Sequence, residues 1–230
     1  MTDIQTAAEA IMQADALLIG ASNGLSIAEG YHIFVDNEMF HRQFGDFRQK
    51  YGIRNVLEGS FFPYPSEEDR CEFFRRLILH WITEYRPSQV MKDLVEIIGN
   101  KDYFVLTSNA DTHLELSGLA SDKVFELEGT FADLVRKSPI KDKSSEANAF
   151  LNRYHGKRLV VLELGVGSRN RMIKLPLMQL VTSEPQAIYI TLNLTQELYI
   201  PNEIAYKSIG LAGDIAVTLN RLKTYLRENS

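Results

Sequence analysis

The residues whose types and spacing could do chemistry stand in short polar clusters at the ends of apolar runs. The first is Gly20-Ala21-Ser22-Asn23-Gly24-Leu25-Ser26, which follows the apolar ALLI and opens onto a helix start. A strand, a tight turn of small residues and a helix start form the geometry in which backbone N–H groups and the helix dipole hold a pyrophosphate. Gly20, Ala21, Ser22, Asn23, Gly24 and Ser26 are therefore candidates for a phosphate cradle. The glycines do not follow G-x-G-x-x-G and no Walker lysine is present, so the same residues would equally serve a plain tight β-to-α connection. An acid for the ribose, expected about 20 residues further on in a dinucleotide fold, is not evident; Asp46 falls in an aromatic-rich segment.

The second cluster is Thr107-x-Asn109-x-Asp111, again behind an apolar run, YFVLTS. Asn and Asp in such a place bind ligands, but they also form turns and cap helices. Further along stand Glu128 in VFELEG, Gly165, Gly167 and Ser168 in LELGVGS, Asn193 in TLNL, and Gly213, Asp214 and Ile215 in AGDI. Arg169, Asn170 and Arg171 directly follow the GVG turn and could meet a phosphate or an acidic acceptor, or form a solvated loop. His32, His41, His80, His113 and His155 show no metal-ligand spacing, and the single cysteine, Cys71, can form neither an internal disulfide nor a tetrahedral zinc site alone. No metal is expected. His113 reads as a satisfied surface or supporting histidine, and Cys71, on a helix among aromatics, as inert packing.

These clusters need a frame that brings strand ends together. Four apolar runs near 16–20, 103–108, 159–165 and 187–194 lack alternation, as strands buried on both faces do. Helical segments lie between them. Ser66 with Glu67, Glu68 and Asp69 starts a helix stopped by Pro87; Ser88 caps a second that Gly99 terminates; Asp214 caps a final one over IAVTLNRLKTYL. The alternation predicts a doubly wound α/β fold with a mostly parallel, Rossmann-like sheet. Residues 31–85, rich in aromatics, predict a helical insert over the sheet's ligand edge. The polar stretch from about 130 to 157 predicts a loop and short helix at a second insertion. The expected division is 1–30, 86–127 and 158–230 for the sheet domain, with 31–85 and 128–157 as a small lobe. That lobe has too few large apolar side chains in 130–157 to form its own core, so packing or a partner subunit, as in a homo-oligomer, must support it.

The bulk properties bound the function. The chain has 230 residues, 45% hydrophobic and 24% charged, with a formal net charge of -5. That balance offers no basic footprint for a phosphate backbone, so nucleic acid is not an expected partner. The N-terminus carries Asp3, Glu9 and Asp15 where a secretory signal needs a basic start, and no run reaches the roughly 20 apolar residues of a membrane span. A cytoplasmic chain with no membrane partner is expected.

Taken in order, the clusters resemble the motifs of the sirtuin (Sir2) superfamily. Ser22 to Ser26 is similar to its G-A-G-x-S turn, Thr107/Asn109/Asp111 to its T-Q-N-x-D, and VFELEG to its V-x-E-L-H-G with Glu128 at the histidine position. LELGVGS resembles its G-T-S turn, TLNL its strand ending in I-N, and AGDI its segment closing over the adenine. Within the superfamily, LELGVG followed by Ile173, Lys174 and Pro176, and a tyrosine in place of P-D-F-R, look most like the macrodomain-linked sirtuins, which are protein ADP-ribosyltransferases. Those act on a lipoyl-carrier protein, replace the histidine with glutamine, and generally keep zinc cysteines that this chain lacks.

The resemblance implies NAD as the cofactor and a nicotinamide–ribose bond broken through an oxocarbenium-like state. It implies that Asn109 bonds the ribose or an ordered water, that Asp111 holds the nicotinamide amide, and that Asn193 bonds the adenosine ribose. Glu128 takes over from a histidine base, either as a carboxylate whose burial makes it a base or as a charge opposing the positive C1'. Three functions follow from this reading. The first is NAD-dependent ADP-ribosyl transfer to a protein acceptor, a lipoyl-carrier-like protein by resemblance. The second is a pseudoenzyme sensing NAD or ADP-ribose. The third, deacylation, is disfavoured because Glu128 replaces the base.

Overall fold

A computed structural model describes residues 2–229. The chain runs α1 (Asp3–Gln13), β1 (Ala16–Ala21), α2 (Asn23–Ala28), α3 (Glu38–Tyr51), α4 (Val56–Ser60), α5 (Glu67–Ile78), a π-helical turn (Leu79–Thr83) and α6 (Gln89–Ile98). It continues through β2 (Asp102–Thr107), α7 (His113–Leu116), β3 (Val124–Glu126), α8 (Phe131–Arg136), α9 (Ser144–Tyr154) and β4 (Leu159–Leu164). The last elements are α10 (Arg171–Ser183), β5 (Ile188–Asn193), β6 (Ser208–Ala212) and α11 (Ile215–Asn229).

The apolar runs, too short for a buried helix, form strands of a sheet covered on both faces, where consecutive side chains are all buried. All six residues of β1 and of β4 are buried. Leu17 and Ile19 point to one face, where α1, α6 and α11 pack; Ala16 and Leu18 point to the other, against α9 and α10. The six strands are all parallel, in the order β3-β2-β1-β4-β5-β6. The chain steps outward from β1 to β2 and β3, then returns past β1 to β4 and steps outward the other way to β5 and β6, which makes the carboxyl ends of β1 and β4 the switch point of a doubly wound sheet. The expected Rossmann-like frame is therefore present.

Two strands go beyond the four apolar runs. β3 is three residues long, too short to show a period. β6, S-I-G-L-A, is a partly exposed edge whose Gly210 lies under Leu198 and Ile200, so composition alone does not mark it as a strand.

The helix starts follow their caps. Ser66 accepts from Asp69 N, Ser88 from Met91 N, and Asp214 from Val217 N. The helix expected to run to Pro87 is α-helical only to Ile78. It then widens into the π turn, where Glu84 N bonds Leu79 O at 2.8 Å. Cys71 lies on the exposed side of α5, opposite Phe73, Phe74 and Leu77. Its reading as packed is thereby corrected: the periodicity gives the buried face to its neighbours.

The segment 31–85 has a core of its own. Phe40, Phe44, Phe47, Phe73, Phe74, Leu77 and Trp81 are buried together, and Phe131 of α8 joins them. Fully burying each such ring contributes on the order of 2–3 kcal/mol. α8 thus adds to the insert's core, whereas α9 lies on the sheet, with Phe150 against Phe104 at 5.9 Å between ring centres. Asp46, the rejected ribose acid, is held within the insert by Arg76 at 2.7 Å. Among the described residues no helix is long and apolar enough to cross a membrane.

Candidate functional site

The candidate residues that follow the apolar runs lie at or next to the carboxyl edge of the sheet, because a parallel sheet delivers all its strand ends to one side. At the switch point the first turn meets the fourth-strand turn in direct backbone contact. Gly24 N donates to Gly165 O at 3.1 Å, and a Cβ built on Gly24 would lie 2.5 Å from Gly165 Cα. Gly165 has φ +61°, a left-handed conformation that favours glycine. Gly20 and Ala21 complete β1, and Gly20 is small because Leu177 and Ile173 of α10 press on it.

Asn170, the N-cap of α10, ties three loops together. Its Nδ2 donates to Ser22 Oγ at 3.1 Å and Ser108 Oγ at 3.0 Å, while its Oδ1 accepts from Ile173 N. The two serines are themselves 3.0 Å apart. α10 is pinned below by an ion pair in the sheet's core: Lys174 Nζ reaches Glu163 Oε1 at 2.6 Å, and Tyr189 and Thr191 donate to the same carboxylate. This gives the Glu and Lys of the LELGVG and I-K-x-P segments a physical task. Neither the role of Asn170 nor that of Ser108 was legible in the sequence, since both depend on which loops meet.

Beside this junction lies a cavity of about 630 Å³ between the sheet edge and the insert. Asn23, Ser26, Asn109, Asp111 and Glu128 all line it, with Trp81, Ile33, Val56 and Phe131 among the apolar walls. Asn109 is buried; its N–H donates to Thr107 Oγ1 at 3.0 Å and its Nδ2 to Ser22 O at 3.2 Å. That orientation leaves Asn109 Oδ1 buried without a partner among the described residues. A buried unpaired acceptor is costly, and a ligand donor is one way to relieve it. Asp111 accepts from Ser26 Oγ at 2.6 Å and His113 N at 3.1 Å, and its two oxygens keep lone pairs to spare. Thr112 adopts φ +58°, strained for a β-branched residue, in the turn that aligns this group. Glu128 is exposed on the rim and makes no hydrogen bond to the described residues.

His113 is not a surface residue: it is completely buried behind Asp111. Its Nδ1 faces Glu29 Oε2 at 3.0 Å and its Nε2 faces Trp81 O at 2.8 Å. Both partners are acceptors, an arrangement that favours a proton on each ring nitrogen. Burial pushes its pKa down, but Glu29 and Asp111 outweigh that and raise it. Tyr85 stacks on the ring at 3.8 Å and, with Ser88, donates to Glu29. The supporting alternative for His113 therefore holds and the surface one does not, because its spacing from Asn109 says nothing about the insert that buries it.

The remaining predicted residues are strung along the edge outside the cavity. Gly167 and Ser168 follow β4, where Ser168 N donates to Glu197 at 3.1 Å. Asn193 Nδ2 donates to Val166 O at 3.0 Å, and its backbone oxygen accepts from Gly213 N. Asp214 caps α11, and Ile215 is buried.

Outside that cavity, Glu115 of α7, partly buried, and Glu126 of β3, buried, form a carboxyl pair. Burial and the adjacent Glu126 push the Glu115 carboxyl up to about 8. Burial opposes ionisation of Glu126, yet the hydrogen bonds from Glu115 and Lys143, the latter at 3.0 Å, hold its pKa below the usual value. Between pH 4.5 and about 8 the folded chain keeps a proton on Glu115 that the unfolded chain releases, so this contribution to stability is lost as pH rises through that window. Glu115→Gln keeps a donor and cannot ionise. Its melting temperature is expected to gain on the unaltered chain by several degrees, at ~2–4 °C per kcal/mol, between pH 5 and 9. A constant difference across that range would contradict the shared proton.

No family model matches the chain. Over an alignment of 277 residues it is 25% identical to a protein ADP-ribosyltransferase of Staphylococcus aureus (strain Mu50 / ATCC 700699), covering 96% of this chain and 86% of that protein. Over 136 residues it is 30% identical to a probable bifunctional ADP-ribose hydrolase/ADP-ribosyltransferase of Fusarium oxysporum f. sp. cubense, covering 57% of this chain but 22% of that protein. A solved structure from a study of the mechanism and regulation of Sir2 enzymes matches 99% of this chain and 98% of its own at a TM-score of 0.56 and 12% identity, which shows a shared fold.

Proposed function

We propose that this sirtuin-like chain is an ADP-ribosyltransferase that takes ADP-ribose from NAD, releases nicotinamide, and passes the ADP-ribosyl group to a protein acceptor. The observation that carries the reading is the convergence of Asn109, Asp111 and Glu128, from two strand ends, on one cavity that adjoins the Gly24–Gly165 junction. NAD would supply the scissile bond between nicotinamide and ribose. The edge residues from Gly165 to Ile215 suit its adenosine half, and the cavity suits its nicotinamide end. Asn109 Oδ1 would accept from a ribose hydroxyl or from water held beneath it. Asp111, fixed by Ser26 and His113, would accept from the amide of the leaving group. Glu128, exposed and free of protein partners, would bond a ribose hydroxyl and oppose positive charge at the reacting carbon.

The experiment is a nicotinamide-release assay with purified chain, paired with titration of ADP-ribose and mass analysis of candidate acceptor proteins. Release in the unaltered chain is expected, with Glu128→Ala and Glu128→Gln both lowered about 10²-fold and ADP-ribose still bound. Binding without release would favour a sensor. Absence of binding to either nucleotide would remove the proposal.

A further inference from the structure

Beside the cavity lies a buried hydrogen-bond donor with nothing to donate to. Trp81, the sole tryptophan of the sequence, is 1% exposed and lines the cavity, and its indole Nε1 is buried with no hydrogen-bond partner among the described residues. A buried indole N–H ordinarily finds an acceptor, and leaving it unpaired costs on the order of 1–3 kcal/mol. The chain nevertheless holds this side chain firmly. Tyr31 meets its ring edge-on at 5.1 Å between centres and Phe131 at 5.7 Å. The main chain at Trp81 lies in the π turn, a departure from α geometry often found at functional sites.

The clamp on that turn is His113, whose Nε2 faces Trp81 O at 2.8 Å while its backbone N–H donates to Asp111. One residue thus ties the backbone that carries the indole to the carboxylate expected to hold the leaving group. Around them Ile33, Val56 and Phe131 supply flat apolar wall. An unpaired donor, a carboxylate acceptor and apolar surfaces together match a planar aromatic carboxamide: its oxygen needs a donor and its NH₂ needs an acceptor.

We propose that Trp81 is a specificity residue that donates its indole N–H to the carboxamide oxygen of nicotinamide while Asp111 accepts from the amide nitrogen. The assignment rests on the NAD-cleaving reading above. It extends that reading to a residue supplied by the insert rather than by the sheet edge, and gives the His113–Glu29 pair the task of positioning both partners. Discrimination follows: nicotinate presents a carboxylate to Asp111 and is rejected, whereas nicotinamide satisfies both groups.

A single tryptophan makes the test direct. In ¹⁵N-labelled chain, the one indole N–H signal is followed during separate titrations with nicotinamide, nicotinate and ADP-ribose. The expected result is a saturable shift with nicotinamide, and none with nicotinate or ADP-ribose. In parallel, Trp81→Phe is expected to weaken inhibition by nicotinamide about tenfold, with ADP-ribose affinity unchanged. Turnover of NAD with an unmoved indole signal overturns the assignment and leaves the proposed function standing. A folded Trp81→Phe chain with unaltered nicotinamide inhibition does the same. If the unaltered chain neither binds ADP-ribose nor releases nicotinamide, the proposed function fails and the Trp81 assignment falls with it. Should Trp81→Phe not fold, the signal of the unaltered chain decides alone.

Discussion

Asn109→Ala is expected to lower nicotinamide release from NAD by about 10²-fold or more, because a reacting ribose displaced by even ~1 Å loses that much rate. ADP-ribose binding should weaken by no more than about tenfold, the worth of one hydrogen bond. The split follows from what Asn109 touches. Its Nδ2 is committed to Ser22 O and its N–H to Thr107 Oγ1, so two hydrogen bonds hold the buried, unpaired Oδ1 beside the cavity. Alanine leaves Ser22 O without that donor and the ribose without its acceptor. Asn109→Asp keeps the size but sets a carboxylate oxygen against Ser22 O, so it should do no better. The assay is chromatographic measurement of nicotinamide, with a melting curve for each variant. Release by a folded Asn109→Ala chain within about threefold of the unaltered one would end the assignment of this residue.

The largest effect on stability is expected at the glycine junction. A Cβ on Gly24 would sit 2.5 Å from Gly165 Cα and 2.7 Å from Gly165 O; one on Gly165 would sit 2.5 Å from Gly24 Cα, at a φ of +61°. Every clashing atom is backbone, so no side chain can swing aside, and the two turns must separate. Overpacking of this kind costs about 1–3 kcal/mol, and the left-handed φ adds to it at Gly165. Gly24→Ala is expected to lower the melting temperature by roughly 3–10 °C, at ~2–4 °C per kcal/mol for a chain of this size. Gly165→Ala should fall further. ADP-ribose affinity should drop as well, since the Gly24 N–H to Gly165 O bond sets the cradle's shape. Gly45→Ala is the control: Gly45 lies in α3 and an added Cβ meets nothing within 4 Å, so its melting temperature should hold or rise slightly. Calorimetry that ranks Gly24→Ala with Gly45→Ala would show that the turns yield freely.

The sequence by itself determined the frame. Runs such as ALLIGA and LVVLEL lack polar alternation and are too short for a buried helix, so they read as strands of a sheet covered on both faces. Ser66, Ser88 and Asp214 mark helix starts through hydrogen bonds within four residues, so local chemistry is enough. The candidate residues at strand ends were legible for a related reason: a parallel sheet carries every carboxyl end to one edge, whatever the details of packing.

What the tertiary structure decided are the contacts between segments far apart in the chain. Asn170 reaches Ser22 across 148 positions, and His113 reaches Glu29 across 84. Neither pairing leaves a local period or spacing to read. The same holds for Trp81: an aromatic residue in an aromatic-rich insert gives no sign that its indole N–H is the one left unpaired. Short-range order is written in neighbouring residues, whose caps and alternation act within a few bonds. Burial, charge state and the vacant hydrogen-bonding groups of the cavity arise only where the insert closes on the sheet edge.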